Sequence, residues 1–217
     1  MKLLTLPEGG LRLHLNYDEA AMLDQLITQL MQLLQSHSGT ALDPDPLFAS
    51  LEVGGSEDIP EDPALARLFP NAYEADEDAT QFRRVTEQGL LNRKLQDAIQ
   101  VTTALGLGGV LPGEDTTVEV DISSAILPAW ARTITALRLA IAARIGLDTA
   151  DDHDRLLADD ETRGTVLVFD WLAAILESAL MMQGTAFDED AGDADTDADA
   201  DAEFGSGQQA PEGPDTT

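Results

Sequence analysis

Leu11, Leu13 and Leu15 alternate with Arg12 and His14 near the start of the chain, the period-two pattern of a strand with one dry and one wet face. With Lys2 to Leu6 before it and Pro7-Glu8-Gly9-Gly10 between, this predicts a β-hairpin with His14 on the wet face. The period then changes. Asn16 stands three residues before Glu19, a capping-box spacing, and Met22, Leu23, Leu26, Ile27, Leu30, Leu33 and Leu34 recur at helical intervals, predicting a helix over 17–37. Residues 40–61 carry three prolines and a glycine pair without a period, so they are expected to be a flexible linker. Asp62-Pro63 pairs a helix cap with a first-turn proline and predicts a short helix over 64–69.

A longer helix is expected over 76–105, where Asp76, Glu77 and Asp78 suit the positive end of the helix dipole. Gly89 falls inside it and is expected to mark a break or a tight helix crossing. After a flexible glycine-rich loop at 106–116, Thr117 to Val120 reads as a strand able to join the hairpin, and a lone hairpin needs such a third strand. Asp121 or Ser123 is the expected cap of a helix to Ile145, with Ile126, Trp130, Ile134, Leu137, Ile141 and Ile145 on one face. An acidic loop follows, then a helix over 163–183. Its window 165–182 has 14 apolar positions of 18, so it is expected at the centre of the bundle; Asp170 and Glu177 argue against a membrane span.

These elements predict a mainly α fold of the α+β type: a bundle of about five helices with a small N-terminal antiparallel hairpin that grows to a three-stranded sheet. Residues 1–187 form one helical domain. From Asp188 to Thr217 there are eleven acids and no base, too few apolar groups to offset the entropy of ordering, so an acidic disordered tail is expected.

Charge narrows the classes of function. The 217 residues carry 41 Asp plus Glu against 12 Lys plus Arg, a formal net of −29; the tail accounts for 11 of these charges and residues 1–187 for 18. A body this acidic disfavours nucleic-acid phosphates and anionic membranes as partners. The absence of cysteine removes disulfides, thiolate zinc sites and thiol nucleophiles, and with no export segment in view the expected location is the cytoplasm.

Candidate chemistry is sparse. The alternating aspartates from Asp193 to Asp201 lack the glycine and glutamate of a calcium loop, with Ala198 and Phe204 in their places. Gly106-Leu107-Gly108-Gly109 is followed by no lysine and presents no helix start to a phosphate. Asp151-Asp152-His153-Asp154 reads as a solvated turn, and no G-x-S-x-G elbow accompanies the serines. Hence no catalytic, cofactor or metal residue is assigned. Asp170 and Glu177 share a face of the most apolar helix and are expected to form structural ion pairs with the neighbouring arginines, Arg138 with Asp170 first; on that expectation Asp170→Ala costs a few kcal/mol. Arg83, Arg84, Arg93 and Lys94 gather four of the twelve bases in twelve positions, a candidate docking face on an acidic body.

Four blocks carry a resemblance: DPALARLFPNAY, QFRRVTEQGLLNRKL, AWARTITALRLAIAARIG and VFDWLAAILESAL. In this order and spacing they resemble the actinobacterial family known as domain of unknown function two thousand and seventeen. The linker at 40–61, the 106–116 loop and the tail depart from it. The resemblance implies no established activity and no site residue. It implies a gene neighbourhood shared with the adaptor of the Clp protease, and a regulatory label on some members. The expected function is therefore a non-enzymatic regulatory or scaffold protein working through contacts with a protein of unknown identity, with a link to regulated proteolysis. A transcriptional regulator is the alternative, and an enzyme or small-molecule binder using Asp170 and Glu177 the second.

Overall fold

A computed structural model of the chain describes residues 1–6, 10–37, 60–70, 76–110, 113 and 116–193, with backbone alone at 76–86 and 182–193. Most of the 40–61 linker, four residues of the 106–116 loop and the tail beyond Asp193 lie outside the described residues. The fold is mainly helical, with six helices and one three-stranded antiparallel sheet among them. Strands β1 (Lys2–Thr5), β2 (Leu11–Asn16) and β3 (Thr117–Ile122) pair in that order. Leu13 stands opposite Val120 and Arg12 opposite Asp121. The period-two pattern is obeyed on both strands: Leu11, Leu13, Leu15, Val118, Val120 and Ile122 are buried on the inner face. The outer face pairs charges across the ladder, with Arg12 bidentate on Asp121 at 2.6 and 2.7 Å and His14 3.4 Å from Glu119.

Helix α1 (Tyr17–His37) starts with the reciprocal cap expected of Asn16 and Glu19: the Glu19 amide donates to the Asn16 side chain at 2.8 Å and the Asn16 amide to Glu19 at 2.9 Å. Helix α2 (Pro63–Leu68) is capped by Asp62, which accepts from Ala64 and Leu65. Helix α3 (Asp76–Leu105) runs unbroken, contrary to the expectation at Gly89. A Cβ placed on Gly89 would meet nothing within 4 Å, so neither a kink nor a close crossing needs the glycine. Gly89→Ala is therefore expected to raise stability by about 0.5–1 kcal/mol, read as a higher urea midpoint; a lower midpoint would contradict it.

Helix α4 (Leu127–Ile145) begins later than expected, because Asp121 is taken up by the sheet and the Ser123 carbonyl accepts the Ile126 and Leu127 amides. Pro128 sits in its first turn, where it costs no hydrogen bond. α4, not the last helix, is the centre: it packs against α1, α2, α3 and the last helix, and it carries Trp130, the largest fully buried side chain. Where an acidic loop was expected, helix α5 (Ala150–Ala158) forms. Its signal is the capping box of Thr149 and Asp152, masked in the sequence by a helix of only 9 residues with only Leu156 fully buried.

Helix α6 (Arg163–Asp193) runs ten residues past the expected end at Gln183, taking the first six tail residues into helical backbone. It is not the bundle's centre. One side, with Val166, Leu172, Ile175 and Ala179, faces α4 and α5, and only 22% of Arg163–Met181 is buried. By length and composition that stretch, with a mean hydropathy of 1.6, is the one among the described residues that could cross a membrane. Its all-round apolarity thus leaves an apolar outer side instead of a buried axis.

Candidate functional site

Asp170 and Glu177 lie on this outer side, so the expected burial fails. The Asp170 side chain is 45% exposed and meets His153 of α5, whose Nε2 lies 3.1 Å from both carboxylate oxygens. Glu177 is exposed. Arg138 does not pair with either: its guanidinium stacks 4.3 Å from the centroid of the Phe169 ring, one position away on α6, and its buried Nε has no partner among the described residues. The expected Arg138–Asp170 pair is replaced because the helix turns Asp170 outward while Phe169 faces α4. A pair this exposed contributes about 1 kcal/mol or less, not the few kcal/mol expected of a buried one.

The acidic run at 151–154 is likewise dispersed by its helix. Asp152 caps Thr149 and binds Arg155 at 2.8 Å, contacts that hold its carboxyl down at about 2, while His153 reaches Asp170. Hydrogen bonding to Asp170 raises the imidazole of His153 above its usual range. A raised histidine adds stability that is complete below about pH 6.5 and is lost as pH rises through the folded-state value. Asp170→Asn is accordingly expected to return the His153 titration midpoint, followed by NMR, toward the ordinary value and to lower stability mainly in acid; an unmoved midpoint would refute the coupling.

Around these groups the outer side of α6 is apolar. Leu167 is 55% exposed, Leu180 51% and Met181 71%, with half-buried Trp171 between them. Since isolated exposed leucines are ordinary, the notable feature is their alignment along one helix with Asp170 and Glu177 interspersed.

A second concentration of chemistry lies across α1, α3 and α4. Arg132 binds Asp97 through two 2.7 Å hydrogen bonds, Asp97 being buried. Beside them is a cavity of about 480 Å³, into which α3 brings Leu90, Arg93 and Lys94, α4 brings Thr133 and Leu139, and α1 brings Leu30. Thus two of the four candidate docking bases, Arg93 and Lys94, do share one site; the side chains of Arg83 and Arg84 lie outside the described residues. Burial lowers the Lys94 ammonium below the usual lysine range, and it lies 5.9 Å over the Phe69 ring. Phe69 in turn stacks on His37 at 5.5 Å, and His37 hydrogen-bonds Glu87. This buried His37–Glu87 contact was not among the expectations from the sequence. Its signal was present: Glu87 is in step with Leu91, Leu95, Ala98, Val101 and Leu105 on the buried face of α3.

No group of three or more His, Asp or Glu side chains that could hold a metal ion occurs among the described residues. The chain belongs to the family described as Domain of unknown function (DUF2017), whose model matches residues 1–182. It is 28% identical over 169 residues to a Mycobacterium leprae (strain TN) protein named "Putative oxidative stress regulator AosR", a match covering 73% of this chain and 76% of that one. No solved structure matches the chain.

Proposed function

We propose that this member of the DUF2017 family is a non-enzymatic regulatory protein that acts by docking an amphipathic helix of a partner protein along the outer side of α6. The observation that carries this reading is the row of exposed apolar groups, Leu167, Leu180 and Met181, on a helix whose opposite side is fixed to the core. Burying such surface contributes on the order of 25 cal/mol per Å² of apolar area, and Leu167 with half-buried Trp171 four positions on offers one ridge for a partner helix. Asp170 and Glu177 lie within the row, so the partner helix carries Lys or Arg beside its apolar face. The regulator name of the Mycobacterium leprae relative supports the class, and the gene neighbourhood that the sequence resemblance implies directs the search for the partner toward regulated proteolysis. With no cysteine in the chain, a response to oxidants would not run through a thiol of its own.

Photo-crosslinking in cells tests the surface directly, with the crosslinker placed at Leu167 or Leu180 and, as a control, at Arg12 on the outer face of the sheet. A defined protein adduct at the α6 positions and none at Arg12 is expected. Equal labelling at all three sites, no protein adduct, or co-sedimentation of the purified chain with lipid vesicles that Leu167→Asp abolishes, would overturn the reading.

A further inference from the structure

We infer that the cavity between α1, α3 and α4 is a binding site for a small amphipathic anion, a carboxylate on an apolar body of the medium-chain fatty-acid kind. Its volume of about 480 Å³ falls in the range of small-molecule sites, roughly 300–1,000 Å³. The charge arrangement selects the sign of the ligand. Asp97 is the acid in the lining, and Arg132 already engages both of its oxygens at 2.7 Å, so its charge is met within the wall. Arg93 and Lys94 remain, with no ion-pair partner among the described residues, on a chain whose formal net charge is −29. Bases left unpaired amid so many acids mark a place where the fold keeps positive charge available.

The apolar part of the lining selects the body. Leu90 and Leu139 stand at the mouth, 46% and 37% exposed, and Leu30 and Ala136 lie behind them. Thr133, only 2% exposed, adds a buried hydroxyl without a hydrogen-bond partner among the described residues, a donor that a bound oxygen would satisfy. Burial of Lys94 favours the same ligand: it lowers the ammonium against the weaker pull of Asp97, and a carboxylate beside it would supply the direct ion pair that Asp97, engaged by Arg132, does not make. A second cavity of about 250 Å³ between α1 and α4, lined by Leu33, Leu137 and Ile141 with Gln29 and Arg144, has Leu30 in common with the first.

Titration calorimetry of the full chain with octanoate, octan-1-ol and octylammonium is the test, joined to methyl NMR to place the ligand. Octanoate is expected to bind saturably at one site, at least tenfold more tightly than the other two probes. Shifts are expected at the methyls of Leu30, Leu90 and Leu139. Arg93→Gln and Lys94→Gln should each weaken binding several-fold, and Leu139→Glu, at a partly exposed position where the fold tolerates it, should abolish it. The proposal is overturned by absence of saturable octanoate binding, by octan-1-ol binding as tightly, by affinity unchanged in Leu139→Glu, or by shifts centred on Leu167 and Leu180. That last result would leave the α6 surface standing, and loss of the α6 crosslink would leave this cavity standing.

Discussion

Trp130→Ala is expected to cost about 4 kcal/mol and to lower the melting temperature by about 10 °C or more. Trp130 is 1% exposed and sits on α4, the helix that packs on α1, α2, α3 and α6. Truncating it removes the transfer free energy of the largest side chain in the core and leaves a cavity that four surrounding helices, each held by its own contacts, close only in part. Trp130→Phe separates packing from polarity. The indole Nε1 is buried without a partner among the described residues, so phenylalanine gives up volume but also relieves an unmet donor, and its cost should stay within about 1.5 kcal/mol. Thermal or urea unfolding followed by circular dichroism measures both. A Trp130→Ala variant as stable as the parent would remove α4 from the centre of the core.

Arg132→Ala is expected to cost about 2–3 kcal/mol, more than Asp97→Asn at about 1 kcal/mol. The asymmetry follows from exposure: the Asp97 side chain is 10% exposed and that of Arg132 45%. Deleting the arginine strands a carboxylate in a buried position, whereas neutralising the aspartate leaves a guanidinium that water can reach. The double variant Arg132→Ala with Asp97→Asn should therefore be more stable than Arg132→Ala alone. Equal costs for the two single variants in urea unfolding would show that Asp97 gains its solvation elsewhere.

Elements whose signal is local were legible in the sequence. The β2 alternation, the Asn16 and Glu19 cap of α1 and the Asp62-Pro63 start of α2 all depend on residues within a few positions of one another, and each formed as expected. The resemblance to the family likewise held over residues 1–182. Misreadings arose where a local pattern had more than one tertiary outcome. An apolar run in α6 can be a buried axis or an amphipathic wall with a second, uncovered apolar side, and hydropathy does not separate them. The bridging pairs Arg132 with Asp97 and His37 with Glu87 join residues 35 and 50 positions apart, a separation at which one sequence offers no rule for choosing partners. Arg138 illustrates the same point: expected to pair with Asp170 on another helix, it took the ring of Phe169, one position before that carboxylate.

By itself, then, the sequence determined the class of fold, its three strands and most of its helices, and the surplus of acid against which Arg93 and Lys94 stand out. Those properties follow from periodicity, caps and composition, which act over one or two turns of chain. Only the tertiary structure decided that α4 and not α6 fills the centre, that Asp170 faces solvent with His153, and that α1, α3 and α4 leave a cavity beside the two bases. Each of these depends on the rotation of one helix against another, set by the packing of side chains distant in sequence, and a turn of about 100° per residue is enough to exchange the buried face for the exposed one.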